Sequence, residues 1–364
     1  MQSFQLEEYL SRGTDRMIKG ILKASLSNPK ESAFMVQYAK AGKTARELRR
    51  KAEEQGEHIP PFLIASITSQ CNLHCKGCYA RANESCGDFS HDGQLESGQW
   101  GDIFEQAEEL GIGFILLAGG EPLVRRDVIE TAALHKRILF PVFTNGTMMD
   151  LEYQKLFSDN RNLIPVFSIE GNQQKTDDRR GAGVYRALMG TMENMRTKGI
   201  LFGTSITVTK ENLDEVTSDE FTLGLAEAGC KAVIYVEYVP VDQASRELAP
   251  DEVDRIRMEQ RLMKLREKDQ PMLYISFPGD EKSSGGCLAA GRGFFHINAN
   301  GGAEPCPFSP YSDTSLKEVG LKDALKSRLF VKLKHGGFLQ GEHSGGCVLF
   351  GQENEVKALL SESL

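Results

Sequence analysis

The sequence predicts an α/β fold, a partial barrel of six β/α units, with a helical extension before it and a small α+β module after it. Three observations carry this. From Phe62 onward, short and nearly continuous apolar segments alternate with stretches of helical character, the pattern of a parallel sheet whose faces are covered. The residues before that point read as helices alone. After Pro271 the rhythm gives way to Gly-rich turns and very short strands. A division at residues 1–60, 61–270 and 271–364 follows, and 364 residues are ample for one large unit and a smaller one.

In the first segment Met17, Ile18, Ile21 and Leu22 form a short apolar stripe, and Thr44 to Gln55 is rich in Arg, Lys, Glu and Ala. Such a slightly basic segment either caps the next unit or touches a membrane surface or partner; the weak amphipathic pattern favours the cap. His58-Ile59-Pro60-Pro61 ends it. The expected strands are Phe62–Ile67, Phe114–Leu117, Pro141–Phe143, Leu163–Ile169, Phe202–Val208 and Ala232–Val239. Helices are expected at Ser97–Leu110, Asp127–Arg137, Leu151–Phe157, Gly183–Lys198 and Asp214–Glu227, with Asp251–Lys268 closing the unit. Chemistry in such a barrel belongs at the C-terminal ends of its strands. The last segment has expected strands at Gly293–Asn298 and Gly302–Glu304 and helices near Leu316–Leu329.

A net charge of −8 argues against nucleic acid as the main partner. No apolar run is long enough to span a bilayer, and the N-terminus lacks a signal-peptide pattern. The expected setting is the cytoplasm. Six of the eight cysteines fall into two clusters, and in a chain of this size without an export signal clustered thiols favour metal over disulfides.

The first cluster, Cys71-x-x-x-Cys75-x-x-Cys78, follows directly on the first strand. Three thiolates on one loop suit a [4Fe-4S] cluster with one iron left without a protein ligand. A zinc site is the alternative, with His74 or Cys86 as its fourth ligand. Further turns follow at successive strand ends: Ala118-Gly119-Gly120-Glu121-Pro122, Phe143-Thr144-Asn145-Gly146-Thr147 and Phe167-Ser168-Ile169-Glu170-Gly171, then Arg180-Gly181. This order of motifs resembles the radical SAM superfamily, whose signature is the three-Cys loop followed by a Gly-Gly-Glu-Pro turn.

The resemblance implies that the open iron binds S-adenosylmethionine (SAM) and cleaves it reductively to a 5′-deoxyadenosyl radical, which abstracts hydrogen from a substrate. It implies that Gly119, Gly120, Glu121 and Pro122 lie at the SAM ammonium group, with Thr144 and Asn145 in the next turn. Ser168 and Glu170 are implied at the ribose, and Arg180, with Arg179 as its neighbour, at the carboxylate. The segment Thr207 to Asn212 is implied at the adenine edge. One departure is Gly77, which stands before the third Cys where the family often has an aromatic residue. Tyr235 and Glu237 on the last expected strand are candidates to face the barrel interior as proton or hydrogen partners; a packed barrel layer is the simpler reading.

The second cluster, Cys287, Cys306 and Cys347, resembles the C-terminal auxiliary-cluster modules called SPASM and twitch, through the segment His296 to Cys306 with its tight Asn300-Gly301 turn. Three Cys leave the fourth iron of an auxiliary [4Fe-4S] cluster open to substrate, or ligated by a residue such as Glu342 or His343. Cys86 and Cys230 match no motif; Cys230 reads as a core residue. The implied activity is an oxidative modification of a peptide, small metabolite or tetrapyrrole, fed by a one-electron reductant such as flavodoxin or ferredoxin. The alternative is a non-catalytic iron–sulfur carrier or sensor, or a zinc-stabilised binding module.

Overall fold

Seven parallel strands curl into an open half-barrel, which two further short strands extend past β1. The structure is a computed structural model that describes residues 29–90, 92–268, 272–281, 284–340 and 347–363. The stripe Met17, Ile18, Ile21 and Leu22, and the ligand candidates Glu342 and His343, lie outside the described residues. In chain order the strands are β1 (Phe62–Ser66), β2 (Phe114–Ala118), β3 (Phe140–Thr144), β4 (Leu163–Ser168), β5 (Gly203–Val208), β6 (Ala232–Glu237), β7 (Leu273–Phe277), β8 (His296–Ile297) and β9 (Ala303–Glu304). The sheet order is β7-β6-β5-β4-β3-β2-β1-β8-β9. The β/α rhythm from Phe62 thus forms the expected partial barrel.

Three details differ. The segment Leu273–Phe277, which sequence reading leaves in the last part of the chain, is a full seventh parallel strand on β6. The expected helix Asp214–Glu227 is two helices, Leu213–Val216 and Asp219–Glu227, because Ser218 caps the second through Phe221 N–H. The helices expected near Leu316–Leu329 are Leu321–Ala324 and Arg328–His335, so they begin later and run further, the second capped by Ser327.

The strand register assigns each side chain to one of two faces. Leu63, Ala65, Ile115, Leu117, Phe140, Val142, Phe167, Ile206, Val208 and Val233 are all buried in the core. They share the face that packs under helices. The alternate residues, among them Ser66, Ala118, Phe143, Ser168, Thr207, Ile234, Val236 and Phe277, are paired with one another across the sheet and only partly buried, which marks the concave face.

Helix α1 (Pro29–Glu54) lies across the N-terminal ends of the strands. Its Met35 and Tyr38 pack with Leu139 and Ile164, and the Tyr38 hydroxyl donates to Gly113 O at 2.6 Å. Arg49 Nη1 donates to Gly111 O at 2.7 Å. The carbonyls of Gly111 and Gly113 precede β2, so α1 covers one end of the half-barrel and leaves the C-terminal strand ends to the loops. No helix among the described residues is long and apolar enough to cross a membrane.

Candidate functional site

The loop leaving β1 is held by backbone bonds to its neighbours. Gly120 N–H donates to Thr68 O at 2.9 Å and Glu121 N–H to Gln70 O at 2.8 Å, while Cys71 N–H donates to Gly87 O at 2.8 Å. The two glycines are required for this approach. A Cβ on Gly120 would stand 2.1 Å from Gln70 O and 2.9 Å from Cys71 N; on Gly119, whose φ is +133°, it would stand 2.3 Å from Thr68 O. The Gly-Gly pair therefore lets the end of β2 lie directly on the cysteine loop.

Glu121 joins this turn to the next. It is 1 % exposed, and its carboxylate accepts from Leu123 N–H (3.0 Å), the Thr144 hydroxyl (2.6 Å) and Asn145 N–H (2.8 Å). Burial raises its pKa above the ordinary carboxyl range, and these hydrogen bonds pull it back. Three protein donors thus engage its side-chain oxygens. Pro122 is buried at the start of the short turn that Glu121 caps. Asn145 Nδ2 donates to Asn72 Oδ1 at 2.8 Å, and Asn72 Nδ2 donates to the Thr147 hydroxyl at 2.9 Å. The ends of β1, β2 and β3 thereby form one network around the cysteine loop.

Cys71 senses the charges of Cys75 and Cys78, and Cys75 that of Cys78. Backbone N–H groups serve the sulfurs: Leu73 at Cys71, and Arg81 and Ala80 at Cys78. Arg180 Nη1 lies 3.9 Å from Cys75 Sγ. Burial pushes the Cys71 and Cys75 thiols up, whereas a hydrogen bond from Cys86 brings Cys78 down to about 5. Among the described residues, no three His, Cys, Asp or Glu side chains gather closely enough to hold a single metal ion. His74 turns away to Asp88 at 2.8 Å with its side chain 68 % exposed. A four-iron cluster asks for something else: it puts a separate iron behind each thiolate, so its ligands stand around a body several atoms across. Three thiols with local N–H donors and a nearby guanidinium fit that anionic group.

At the end of β4, Glu170 is buried and accepts from Arg180, with Arg179 Nε at 3.4 Å and Thr207 N–H donating at 3.2 Å. The residues expected at the ribose and the SAM carboxylate are thus paired with each other beside Cys75. Ser168 is on the concave face opposite Ser205. Asn212 turns the Thr207–Asn212 segment back on itself, donating to Glu170 O at 3.1 Å and Thr207 O at 2.9 Å.

Sequence reasoning misses Tyr238, just past β6. Its buried ring lies under the Arg179 guanidinium at 5.5 Å, and its hydroxyl has no hydrogen-bond partner among the described residues. It also explains Gly77, whose φ is +66° and where a Cβ would stand 2.5 Å from Tyr238 Oη. The aromatic side chain missing from position 77 is replaced in space by one from a distant strand. Ser66 is another residue sequence reasoning misses. Glu304 Oε2 accepts from His296 Nδ1 at 2.6 Å, so in the neutral imidazole Nε2 accepts from the Ser66 hydroxyl at 2.7 Å. This buried relay fixes a hydroxyl on the concave face.

Tyr235 requires correction as an interior candidate, whereas Glu237, at the end of β6, lines the pocket of the second cysteine group. They alternate with Ile234 and Val236 as expected, but the register puts the latter pair on the concave face. Tyr235 is fully buried under the helices, and its hydroxyl donates to Val216 O at 2.8 Å. Glu237 accepts from Arg255 Nε at 2.7 Å. Alternation alone does not say which face is concave when both are apolar.

The second group of cysteines lines one pocket of about 380 Å³ counted to its open mouth. Cys287 is tied through its N–H to Leu339 O at 2.8 Å; Phe350 N–H donates to Cys347 Sγ at 3.3 Å, and Phe308 N–H serves Cys306. Burial raises all three thiols, Cys347 to about 11. Glu281 lines the same pocket, and burial lifts its carboxyl to about 8. Phe308, also in the lining, meets the Tyr79 ring edge-on at 4.7 Å, so an aromatic pair joins this pocket to the residue after Cys78. Cys230 is buried apart from both groups, 3.1 Å from Ala232 O.

Comparison with known proteins agrees with this geometry. Residues 65–221 match the model of the radical SAM superfamily. The chain is 28% identical over 313 residues to AdoMet-dependent heme synthase of Methanosarcina barkeri (strain Fusaro / DSM 804), covering 78% of this chain and 87% of that protein. It is 27% identical over 178 residues to Fe-coproporphyrin III synthase of the same organism, covering 48% of this chain and 44% of that protein, so here it spans under half the relative's length. The fold is similar to that of Streptococcus suis SuiB bound to its precursor peptide SuiA, with a TM-score of 0.61 at 16% identity, covering 78% of this chain and 68% of that one.

Proposed function

The chain belongs to the radical SAM superfamily, and from that premise we propose that Cys71, Cys75 and Cys78 hold a [4Fe-4S] cluster that binds and reductively cleaves SAM, for the oxidation of a substrate held in the half-barrel. The observation that carries this is the network centred on Glu121, which locks the ends of β2 and β3 onto the loop bearing the three thiols. A cluster held by these thiols would, when reduced, supply the electron that splits SAM into methionine and a 5′-deoxyadenosyl radical able to remove hydrogen from carbon.

The chain's own residues bind, orient and exclude water. The carbonyls of the Gly119-Gly120 turn accept from the SAM ammonium group. Glu121, Pro122, Thr144 and Asn145 hold that turn and the cysteine loop in register. Arg180 exchanges part of its pairing with Glu170 for the SAM carboxylate, which suits a guanidinium's bidentate geometry. Ser168, Thr207 and Glu170 supply hydroxyl and carboxylate partners for the ribose. The aromatic face of Tyr238 beside Gly77 supports the adenine. The concave face offers hydroxyls (Ser66, Ser168, Ser205, Thr207) among apolar side chains for the substrate.

Cys287, Cys306 and Cys347 hold an auxiliary [4Fe-4S] cluster in this reading, in residues 271–364 of a chain divided into a helical extension (1–60), a SAM barrel (61–270) and this module. A second cluster held by these thiols would suit a net oxidation, since it would supply an acceptor for the electron left on the substrate. A cytoplasmic one-electron reductant of the flavodoxin or ferredoxin type supplies the first cluster. Likeness to AdoMet-dependent heme synthase over most of its length favours a tetrapyrrole substrate; the fold shared with SuiB, seen with a peptide, supports the second reading. Anaerobically reconstituted protein should bind about eight irons, two cubanes' worth. Incubation with SAM, reductant and either an iron porphyrin with propionate side chains or a synthetic peptide then distinguishes the substrates. A several-fold rise in 5′-deoxyadenosine with the porphyrin alone supports the first; a rise with the peptide alone supports the second. Bound zinc without iron contradicts both and returns the chain to the binding-module class.

A further inference from the structure

The auxiliary pocket contains a carboxylate that the described residues leave only partly satisfied. Glu281 ends a short turn after β7 and is 4 % exposed. Its Oε2 accepts from Leu288 N–H at 3.3 Å, but Oε1 is buried with no hydrogen-bond partner among the described residues. Burying a carboxylate oxygen without a donor is unfavourable, so its retention points to a partner beyond the described side chains, and the pocket it lines is built for one. The same pocket is lined by Cys287, Cys306 and Cys347. The other acid in that lining, Glu237, is engaged by Arg255. The nearest guanidinium, Arg292, donates to the carbonyls of Cys287 at 2.5 Å and Ser284 at 3.2 Å.

Resting on the reading of Cys287, Cys306 and Cys347 as ligands of an auxiliary cluster, we propose that Glu281 is its fourth protein ligand, through Oε1. A carboxylate matches the anionic donor that iron requires and satisfies the orphaned oxygen in one contact. The consequence is functional. With all four irons ligated by protein, the auxiliary cluster has no open position for substrate and serves as an electron acceptor. A carboxylate ligand donates less electron density than a thiolate, so it raises the cluster's potential and favours that role.

The test uses the full chain with Cys71, Cys75 and Cys78 all replaced by Ala, so that only the second cluster is read. After anaerobic reconstitution this parent should hold about four irons. Glu281→Gln removes the anionic ligand and should lower the iron to about three, with the electron paramagnetic resonance signal of an oxidised three-iron cluster. Glu281→Cys should keep about four irons and shift the midpoint potential downward. Circular dichroism of the metal-free proteins checks folding; should Glu281→Gln not fold, Glu281→Cys carries the test through its potential. Iron content, resonance signal and potential unchanged from the parent in both variants overturn the proposal. Cys306→Ala in the same background separates the two ideas. Lost iron there, with Glu281 variants unchanged, refutes only the Glu281 ligand; iron retained there refutes the auxiliary cluster itself.

Discussion

Gly120→Ala is expected to unseat the cysteine loop and strip the protein of most of its first-cluster iron. The added methyl has nowhere to go. It would meet the carbonyl oxygen of Gln70 at 2.1 Å and its carbon at 2.4 Å. Both are backbone atoms, which cannot rotate aside as a side chain can, so the two loops must separate. That separation breaks the bonds from Gly120 N–H to Thr68 O and Glu121 N–H to Gln70 O. Overpacking of this kind costs about 3 kcal/mol. Thermal denaturation should show the lost stability, and the iron content after reconstitution should fall by about four per chain. Gly98→Ala, on an open helical position with nothing within 4 Å of its added methyl, is the control and should change neither.

Glu121→Gln should be nearly as damaging, although the side chain keeps its shape. Three donors converge on this carboxylate: Leu123 N–H, the Thr144 hydroxyl and Asn145 N–H. An amide presents its own N–H groups where one oxygen stood, leaving a buried donor facing a donor. The expected loss is about 3 kcal/mol, the scale of breaking a buried hydrogen-bond network. The pH dependence has a definite sign. Burial raises the folded-state pKa of Glu121 above that of the unfolded chain. The folded state therefore holds the proton more tightly, and this contribution to stability, full below the ordinary carboxyl range, is lost as pH rises through the raised value. The gap in stability between wild type and Glu121→Gln should narrow over that interval; a gap that widens there contradicts the assignment.

Much of the architecture around the first cluster is legible in the sequence because it is written locally. Cys71, Cys75 and Cys78 lie within one loop, and the Gly119-Gly120 and Thr144-Asn145-Gly146 turns each sit directly after an apolar strand. Turn chemistry and strand pattern are properties of a few neighbouring residues. What is not legible depends on distant pairing. Tyr238 is adjacent to Gly77 only because β6 curls towards the cysteine loop. Ser66 meets His296 because β8 joins the free edge of β1. The two faces of β6 look alike in sequence, so Tyr235 is assigned to the interior although it packs under the helices. Glu281 carries no motif, and its significance comes from an oxygen with no partner in a pocket shared with three cysteines from widely separated segments.

The most direct measurement is 5′-deoxyadenosine formation by the anaerobically reconstituted full chain, given SAM and a strong reductant, compared with Cys75→Ala. Cys75 lies beside Arg180 and the Glu170 pair, at the centre of the site. The wild-type protein should release 5′-deoxyadenosine and methionine in equal amounts. Cys75→Ala should produce neither above background while retaining the iron bound by Cys287, Cys306 and Cys347. Iron-loaded wild-type protein that leaves SAM intact, or a Cys75→Ala variant that cleaves it at the wild-type rate, contradicts the account.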